Sequence, residues 1–254
     1  MNILDKIVAE KEREVACLVK REISAVGRRD FAGALRKPRR GKMALIAEVK
    51  KASPSAGVIC ADFDPVRIAK EYEAAGADCL SVLTDAKFFQ GSLDYLRQIR
   101  EAVKLPLLRK DFIIDERQIA ESIESGADAI LLIVRILDDA RLKRFHALAT
   151  EVELSVLVET HNEVEMDRAL AIGATLIGVN NRDLDHFTVD LSVTGRLAAK
   201  IYKGATLVAE SGIHTRADVE ALERSGAKAI LVGESLMRNP AGISAKVSEL
   251  LGHA

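Results

Sequence analysis

A repeat of about fifty residues constrains the fold of this chain more than any other feature of its sequence. Four times, a glycine and a small residue end a charged segment of helical period and directly precede an apolar run. Glycine suits the left-handed residue that ends a helix, and the small residue after it permits a tight turn into a strand. The repeat therefore predicts helix-to-strand junctions at Ala75–Asp78, Ser125–Asp128, Ile172–Thr175 and Ser225–Lys228.

Eight apolar runs alternate with eight helical segments from residue 44 onwards. The junctions precede the second, fourth, sixth and eighth runs, so each repeat holds two strand–helix units. This predicts an α/β fold, a closed (β/α)8 TIM barrel, and the 254 residues match the ~250 usual for that fold. The predicted strands are Ala44–Lys50, Cys79–Leu83, Leu105–Arg109, Ala129–Val134, Leu154–Val158, Leu176–Val179, Thr206–Ala209 and Ala229–Val232.

The segments between the runs have the spacing of amphipathic helices. The predicted helices are Pro65–Ala75, Ser92–Val103, Glu116–Ser125, Asp138–Val152, Asn162–Ile172, Ser192–Ile201, Arg216–Ser225 and Ser235–Leu251. An open doubly wound sheet is the alternative fold, but it would more often carry a glycine-rich phosphate fingerprint after its first strand, and neither GxGxxG nor GxxxxGK[ST] occurs.

The segment before the first strand predicts an extension of the barrel. Asn2–Lys20 places apolar residues at roughly helical spacing among charges, which predicts an amphipathic helix lying on the barrel. Arg36–Lys42 predicts a basic loop. We therefore expect one domain over residues 1–254, with residues 1–43 as an N-terminal helical extension.

Charge and hydropathy exclude several classes of protein. The formal net charge of −1 provides no overall attraction to nucleic acid or to an anionic membrane. No apolar run approaches the ~18 residues of a membrane helix, and the first twenty or so residues lack a signal-peptide core, so we expect a cytoplasmic protein. The three cysteines lack CxxC spacing and the five histidines lack an HExxH pattern, which predicts neither disulfides nor a metal. We expect a monomer or a weak homo-oligomer.

Ionisable side chains end five of the predicted strands. Chemistry in such barrels lies at the carboxyl ends of the strands, and side chains two apart share a face. Three carboxylates would then face three cations inside the barrel, and this near balance of charge would make their burial tolerable. The carboxylates are those of Glu48, Glu159 and Glu210, and the cations are Lys50, Lys110 and Arg182, with Asn180 beside them.

The loops after the last two strands and a group of apolar side chains predict the two ends of a binding pocket. Glycines after the seventh and eighth strands, Gly212 and Gly233, would let a phosphate approach backbone N–H groups. Two loop phenylalanines precede Gln90, and with Phe112, Leu131 and Leu184 they could enclose an aromatic ring.

Long motifs, in order along nearly the whole chain, carry a resemblance to a known family. They are IAEVKKASPS (Ile46–Ser55), SVLTDAKFFQGS (Ser81–Ser92), LRKDFIID (Leu108–Asp115), GVNNRDL (Gly178–Leu184), VAESGI (Val208–Ile213) and VGESLMR (Val232–Arg238). The chain resembles indole-3-glycerol-phosphate synthases, enzymes of tryptophan biosynthesis. Ile3–Val15 is also similar to the additional N-terminal helix of that family, which lies over the top of the barrel.

The resemblance implies a lyase that closes the pyrrole ring of 1-(o-carboxyphenylamino)-1-deoxyribulose 5-phosphate and releases carbon dioxide and water, without cofactor or metal. It implies that Lys110, Lys50, Glu48 and Glu159 share the acid and base roles, and that Asn180, Glu210 and Ser211 fix the substrate and its hydroxyls. The phosphate would lie near Lys50, Gly212 and Gly233, with Ser53 and Arg182 as further anion contacts. Phe89, Phe112, Leu131 and Leu184 would enclose the anthranilate ring.

Two observations leave alternatives open. Ala56 stands where many members of that family carry a basic residue, which bears on phosphate affinity more than on activity.

A lysine beside carboxylates in a barrel also fits a Schiff-base aldolase, or another lyase or isomerase that takes a phosphorylated substrate, but an aldolase lysine needs a lowered pKa. A barrel that binds phosphorylated metabolites without turnover is a third interpretation.

Overall fold

The strands form a closed parallel barrel in a computed structural model that describes residues 2–20 and 27–252. Each barrel strand pairs in parallel with the next along the chain, and the last pairs with the first through Ala44 and Ala229. Two short antiparallel strands, β2 (Ala52–Ser53) and β3 (Gly57–Val58), form a hairpin after the first barrel strand. The barrel strands are β1 (Ala44–Val49), β4 (Cys79–Leu83), β5 (Leu107–Lys110), β6 (Ala129–Ile133), β7 (Ser155–Thr160), β8 (Leu176–Asn180), β9 (Thr206–Glu210) and β10 (Ala229–Val232).

Helices surround the barrel and cover both of its ends. In chain order they are α1 (Ile3–Ala16), α2 (Phe31–Arg36), α3 (Pro65–Ala75), α4 (Ala86–Phe89), α5 (Leu93–Ala102), α6 (Arg117–Glu124), α7 (Asp139–Glu151), α8 (Glu163–Ala171), α9 (Ser192–Ala198), α10 (Arg216–Arg224), α11 (Glu234–Met237) and α12 (Ile243–Leu251). A 3-10 turn, Val134–Ile136, follows β6. None of these helices is long and apolar enough to cross a membrane, within the part of the chain that the structure describes.

The four repeated glycines have the left-handed backbone that the sequence predicts. Their φ angles are 101° at Gly76, 89° at Gly126, 78° at Gly173 and 100° at Gly226. Each lies between the helix that it ends and the strand that follows, so the prediction of a regular junction and of a (β/α)8 barrel is confirmed.

The structure corrects two predicted helices. The predicted helix Ser235–Leu251 is wrong, because α11 ends at Met237 and α12 begins only at Ile243. Between them lies Pro240, which lacks a backbone N–H and is poorly tolerated inside a helix. The first helix begins as expected, with a capping box in which Asn2 and Asp5 bond each other's backbone, but it ends at Ala16 and not at Lys20.

The two helices before the barrel cover its opposite ends. Phe31 and Leu35 of α2 are buried against the amino ends of the strands, in a cluster that includes Ala44 and Ala129. In contrast, α1 packs over the carboxyl ends, where Ile7 lies against a cavity. The predicted basic loop, Arg36–Lys42, has irregular backbone after its first residue, which still belongs to α2.

Candidate active site

A cavity opens at the carboxyl ends of the barrel strands, and every site residue predicted from the sequence lines it. They come from all eight barrel strands or the loops that follow them, so the fold alone brings them together. The residues are Glu48, Lys50, Ser53, Phe89, Lys110, Phe112, Leu131, Glu159, Asn180, Arg182, Leu184, Glu210, Ser211, Gly212 and Gly233.

Lys110, the last residue of β5, bridges two carboxylates across the barrel. Its Nζ atom donates to Oε2 of Glu159 at 3.1 Å and to Oε2 of Glu210 at 2.8 Å. Asn180 at the end of β8 donates to the other oxygen of Glu159 at 3.3 Å. The carboxyl ends of β5, β7 and β9 therefore hold one ammonium between two buried carboxylates.

A second acid–base pair lies on β1 and directly after it. Nζ of Lys50 is 2.6 Å from Oε1 of Glu48, as their spacing of two along an extended chain predicts. Burial alone would raise the pKa of Glu48, but attraction to Lys50 and Lys110 outweighs it and lowers the pKa. Gly233 lies against this carboxylate, and a Cβ there would come within 2.9 Å of Glu48 Oε1.

The charges around Lys110 shift the pKa values of this lysine and of the two carboxyl groups that it contacts, in different directions. Burial opposes the ammonium, yet the carboxylates of Glu159, Glu210 and Glu48 raise the pKa of Lys110 above its usual range. The pKa of Glu159 is lowered despite burial, because Lys110 and His161 stabilise its carboxylate. Burial and the nearby charge of Glu159 raise the pKa of Glu210 to about 7, against the opposing attraction of Lys110. The site thus contains two carboxylates whose pKa is lowered, Glu48 and Glu159, and one whose pKa is raised, Glu210.

The loops after β8 and β9 are held together by a residue that the sequence analysis missed. The Nδ2 atom of buried Asn181 donates to the carbonyl of Glu210 at 3.0 Å, and its Oδ1 accepts from both the backbone and the hydroxyl of Thr194. Ser211 and Gly212 then turn with φ of 66° and 76°. This positive φ favours glycine, so Ser211 adopts it only because the surrounding bonds fix the chain.

One side of the cavity is apolar. The rings of Phe89 and Phe112 lie 5.9 Å apart between centroids, and Leu131 and Leu184 complete the wall. Phe187, in the loop after β8, also lines the cavity and was not predicted from the sequence. The first turns of α1 reach the cavity as well, in agreement with the expected helix over the top of the barrel. The α1 residues at the cavity are Ile3, Leu4 and Ile7.

Arg182 does not join the charged cluster as the sequence analysis expected. It lies beyond β8, where the chain pairs Arg182 with Val189, and its Nη1 contacts the carbonyl of Phe187 at 3.4 Å. The expected place of Arg182 among the three cations is therefore wrong, although Arg182 still borders the cavity. The third cation beside the carboxylates is His161, whose Nε2 lies 3.3 Å from Oε1 of Glu159. Its position two residues after Glu159 was the signal for this.

No group of three histidine, cysteine, aspartate or glutamate side chains is arranged to hold a metal ion among residues 2–20 and 27–252. The ionisable groups at the strand ends instead pair with one another. Chemically, the site offers an ammonium and two kinds of carboxyl group beside an apolar wall, which suits proton transfer on a substrate with an aromatic part and a charged part.

Comparisons with known proteins agree over almost the whole chain. Residues 4–250 match the family described as "Indole-3-glycerol phosphate synthase". Proteins of that name from Polaromonas sp. (strain JS666) and from Desulfotalea psychrophila are 52% identical over 247 residues and 50% identical over 246 residues. Each alignment covers 93% of this chain and 94% of the relative.

A solved structure of 3-hexulose-6-phosphate synthase from Salmonella typhimurium superimposes with a TM-score of 0.67 at 14% identity, over 83% of this chain and 97% of that one. At so low an identity the likeness bears on the barrel fold alone.

Proposed function

The chain belongs to the indole-3-glycerol phosphate synthase family, and we propose that the cavity at its strand ends performs that family's reaction by general acid–base catalysis. The enzyme is a carboxy-lyase of tryptophan biosynthesis. It converts 1-(o-carboxyphenylamino)-1-deoxyribulose 5-phosphate to indole-3-glycerol phosphate, carbon dioxide and water. The observation that carries the proposed mechanism is the contact of Lys110 with two carboxylates at 3.1 and 2.8 Å.

The two sides of the cavity suggest how the substrate lies. The apolar wall of Phe89, Phe112, Leu131 and Leu184 would enclose the anthranilate ring. The phosphate would lie at the opposite side, near Lys50 and the backbone of Gly212 and Gly233. Ser53 and Arg182, which also border the cavity, are proposed as further anion contacts.

Ring closure begins when the ring carbon that bears the carboxylate attacks the ketone carbon. A carbon–carbon bond forms, and the ketone oxygen takes the electron pair and needs a proton. We assign this donation to the ammonium of Lys110, because the raised pKa of Lys110 keeps it protonated. The cation left on the ring and nitrogen would be stabilised by the carboxylates of Glu159 and Glu48.

Decarboxylation and dehydration complete the reaction. Loss of carbon dioxide returns its electron pair to the ring and removes the positive charge. The hydroxyl then leaves as water with a proton from an acid, and the methylene carbon beside the nitrogen gives a proton to a base, which forms the double bond of the indole. The pair of Lys50 and Glu48, 2.6 Å apart, is proposed to share these last transfers with Glu159. Asn180, Glu210 and Ser211 would fix the substrate and its hydroxyls.

Each step is a proton transfer or a charge stabilisation that these side chains can supply, so we propose that the reaction uses neither metal nor cofactor. The raised pKa of Lys110 disfavours the Schiff-base aldolase alternative, which needs a neutral amine. With a formal net charge of −1, the chain is proposed to act in the cytoplasm without a nucleic-acid partner, as a monomer or a weak homo-oligomer.

The test is formation of indole-3-glycerol phosphate from the synthetic substrate, followed by indole fluorescence in the presence of a chelator. The wild type should form product, Lys110→Ala should lose roughly a hundredfold or more in kcat, and Lys104→Ala, at an exposed position, should not. Substrate binding without product would overturn the assignment. A borohydride-trapped adduct would favour the aldolase instead.

A further inference from the structure

His161 lies between two carboxylates behind the proposed active site. Its Nδ1 is 2.9 Å from Oε2 of Glu165, and its Nε2 is 3.3 Å from Oε1 of Glu159. The His161 side chain is only 9% exposed and does not line the cavity. The imidazole therefore touches the cluster from its buried side, where no substrate reaches it.

Local structure fixes this arrangement. His161 follows β7 two residues after Glu159, so the two side chains leave the chain on the same face. Glu165 lies in the first turn of α8, and its carboxylate also accepts from the backbone N–H of His161 at 2.8 Å and from Nδ2 of Asn162 at 3.0 Å. Glu165 thus holds the imidazole at one nitrogen and leaves the other directed at Glu159.

We propose that His161, held by Glu165, is a positioning residue that fixes the carboxylate of Glu159 opposite Lys110 and stabilises its ionised form. This inference rests on the proposed role of Glu159 in the reaction. With His161 present, Oε1 of Glu159 contacts both the imidazole and Asn180, while Oε2 contacts Lys110. Without it, the carboxylate loses one of its two cations and is free to rotate away from Lys110.

The charges that face His161 are consistent with this role. Glu159 on β7 and Glu165 on α8 are its direct neighbours, Lys110 on β5 lies across Glu159, and Arg135 in the 3-10 turn after β6 faces Glu165. Burial opposes the imidazolium, but the two carboxylates outweigh it and raise the pKa of His161 to about 10. At neutral pH the ring is therefore an imidazolium, which donates from Nδ1 to Glu165 and forms an ion pair through Nε2 with Glu159.

Two substitutions distinguish the contribution of the Nε2 atom of His161 from that of its Nδ1 atom. In His161→Gln the side-chain amide replaces Nε2 and can still donate to Glu159, whereas in His161→Asn it replaces Nδ1 and reaches only Glu165. We expect His161→Asn to lose about ten- to a hundredfold in kcat, the size of one charge-assisted hydrogen bond, with KM unchanged. His161→Gln should retain more kcat than His161→Asn.

The pH profile distinguishes positioning from a merely structural role. Removing the cation raises the pKa of Glu159, so the acidic limb of kcat should move to higher pH in His161→Asn. Glu165→Gln should move it in the same direction by a smaller amount, because the imidazole then loses its second carboxylate. His146→Asn, at a half-buried position on α7, is the matched control and should leave the limb in place.

A Glu159→Gln variant distinguishes failure of this inference from failure of the proposed function. A Glu159→Gln variant with wild-type kcat would overturn both the role of Glu159 and this inference. An impaired Glu159→Gln beside a His161→Asn whose kcat and acidic limb match the wild type would overturn the positioning role alone. If His161→Asn does not fold, the limb measured in Glu165→Gln decides the question: a shift supports positioning and an unmoved limb overturns it.

Discussion

The Nζ atom of Lys11 lies 2.9 Å from Oδ1 of Asp111, the residue directly after Lys110. It is also 3.1 Å from Oδ2 of Asp85, in the loop after β4. Lys11 is only 2% exposed, so an almost fully buried ammonium joins α1 to two active-site loops. Since α1 also contributes apolar side chains to the cavity, this contact helps to hold that wall in place.

Removing the Lys11 ammonium should loosen α1 and weaken the fold. Lys11→Met leaves two buried aspartates without their shared cation, although Asp111 keeps Arg109 at 3.0 Å. We expect the free energy of unfolding to fall by about 3 kcal/mol and KM to rise, both measured on the purified variant. Lys6→Met removes the same charge from an exposed position of α1 and is the control. Equal stability of the two variants would contradict this role for Lys11.

Only the amino-terminal part of the apolar face of α1 should affect substrate binding, because only that part lines the cavity. Ile7 and Val15 are both buried on this helix, but Ile7 lines the cavity and Val15 does not. Ile7→Ala should therefore raise KM, whereas Val15→Ala should cost stability with little change in KM. Steady-state kinetics at matched fractions of folded protein would check this. A similar KM in both variants would show that α1 does not shield the site.

Glu210 should make the protein lose stability as the pH rises through the neutral range. Burial raises the pKa of Glu210 from 4.5 to about 7, so between these values the folded state binds a proton that the unfolded state has released. The contribution of this group to stability is therefore greatest below about pH 4.5 and declines until the pH passes about 7. Glu210→Gln removes the titration, so its Tm relative to the wild type should be higher at pH 8 than at pH 5. The opposite order would mean that Lys110 outweighs burial at this carboxyl.

Local patterns in the sequence predicted most of the barrel and of its site. Alternation along a strand depends only on neighbouring residues, so it paired Glu48 with Lys50 and directed Glu159 into the barrel. The junction glycines are equally local, since a left-handed residue is required wherever a helix turns directly into a strand.

The failures occur where the chain leaves regular structure. Arg182 follows β8 by two residues, and the turn that pairs it with Val189 ends the alternation on which its predicted position depended. The hairpin of β2 and β3 is two residues long on each side, too short for a periodic pattern. The place of α1 over the barrel was expected from the resemblance, but the contacts of Lys11 with side chains from distant loops were not, because no local pattern encodes them.

Gly178 should be required for the position of Glu210. A Cβ at this residue of β8 would collide with Oε1 of Glu210 and would also lie 3.4 Å from Cδ1 of Leu157. The carboxylate of Glu210 would therefore have to move, which would disturb its contact with Lys110. We expect Gly178→Ala to lower kcat by about tenfold or more, the cost of a misplaced catalytic group. Gly195→Ala, at an exposed position of α9, would approach only the side chain of Ser225, whose hydroxyl is 3.3 Å away, and should leave kcat unchanged. Full activity in Gly178→Ala would mean that Glu210 can leave Lys110 without cost, and the position of Glu210 would then have no part in turnover.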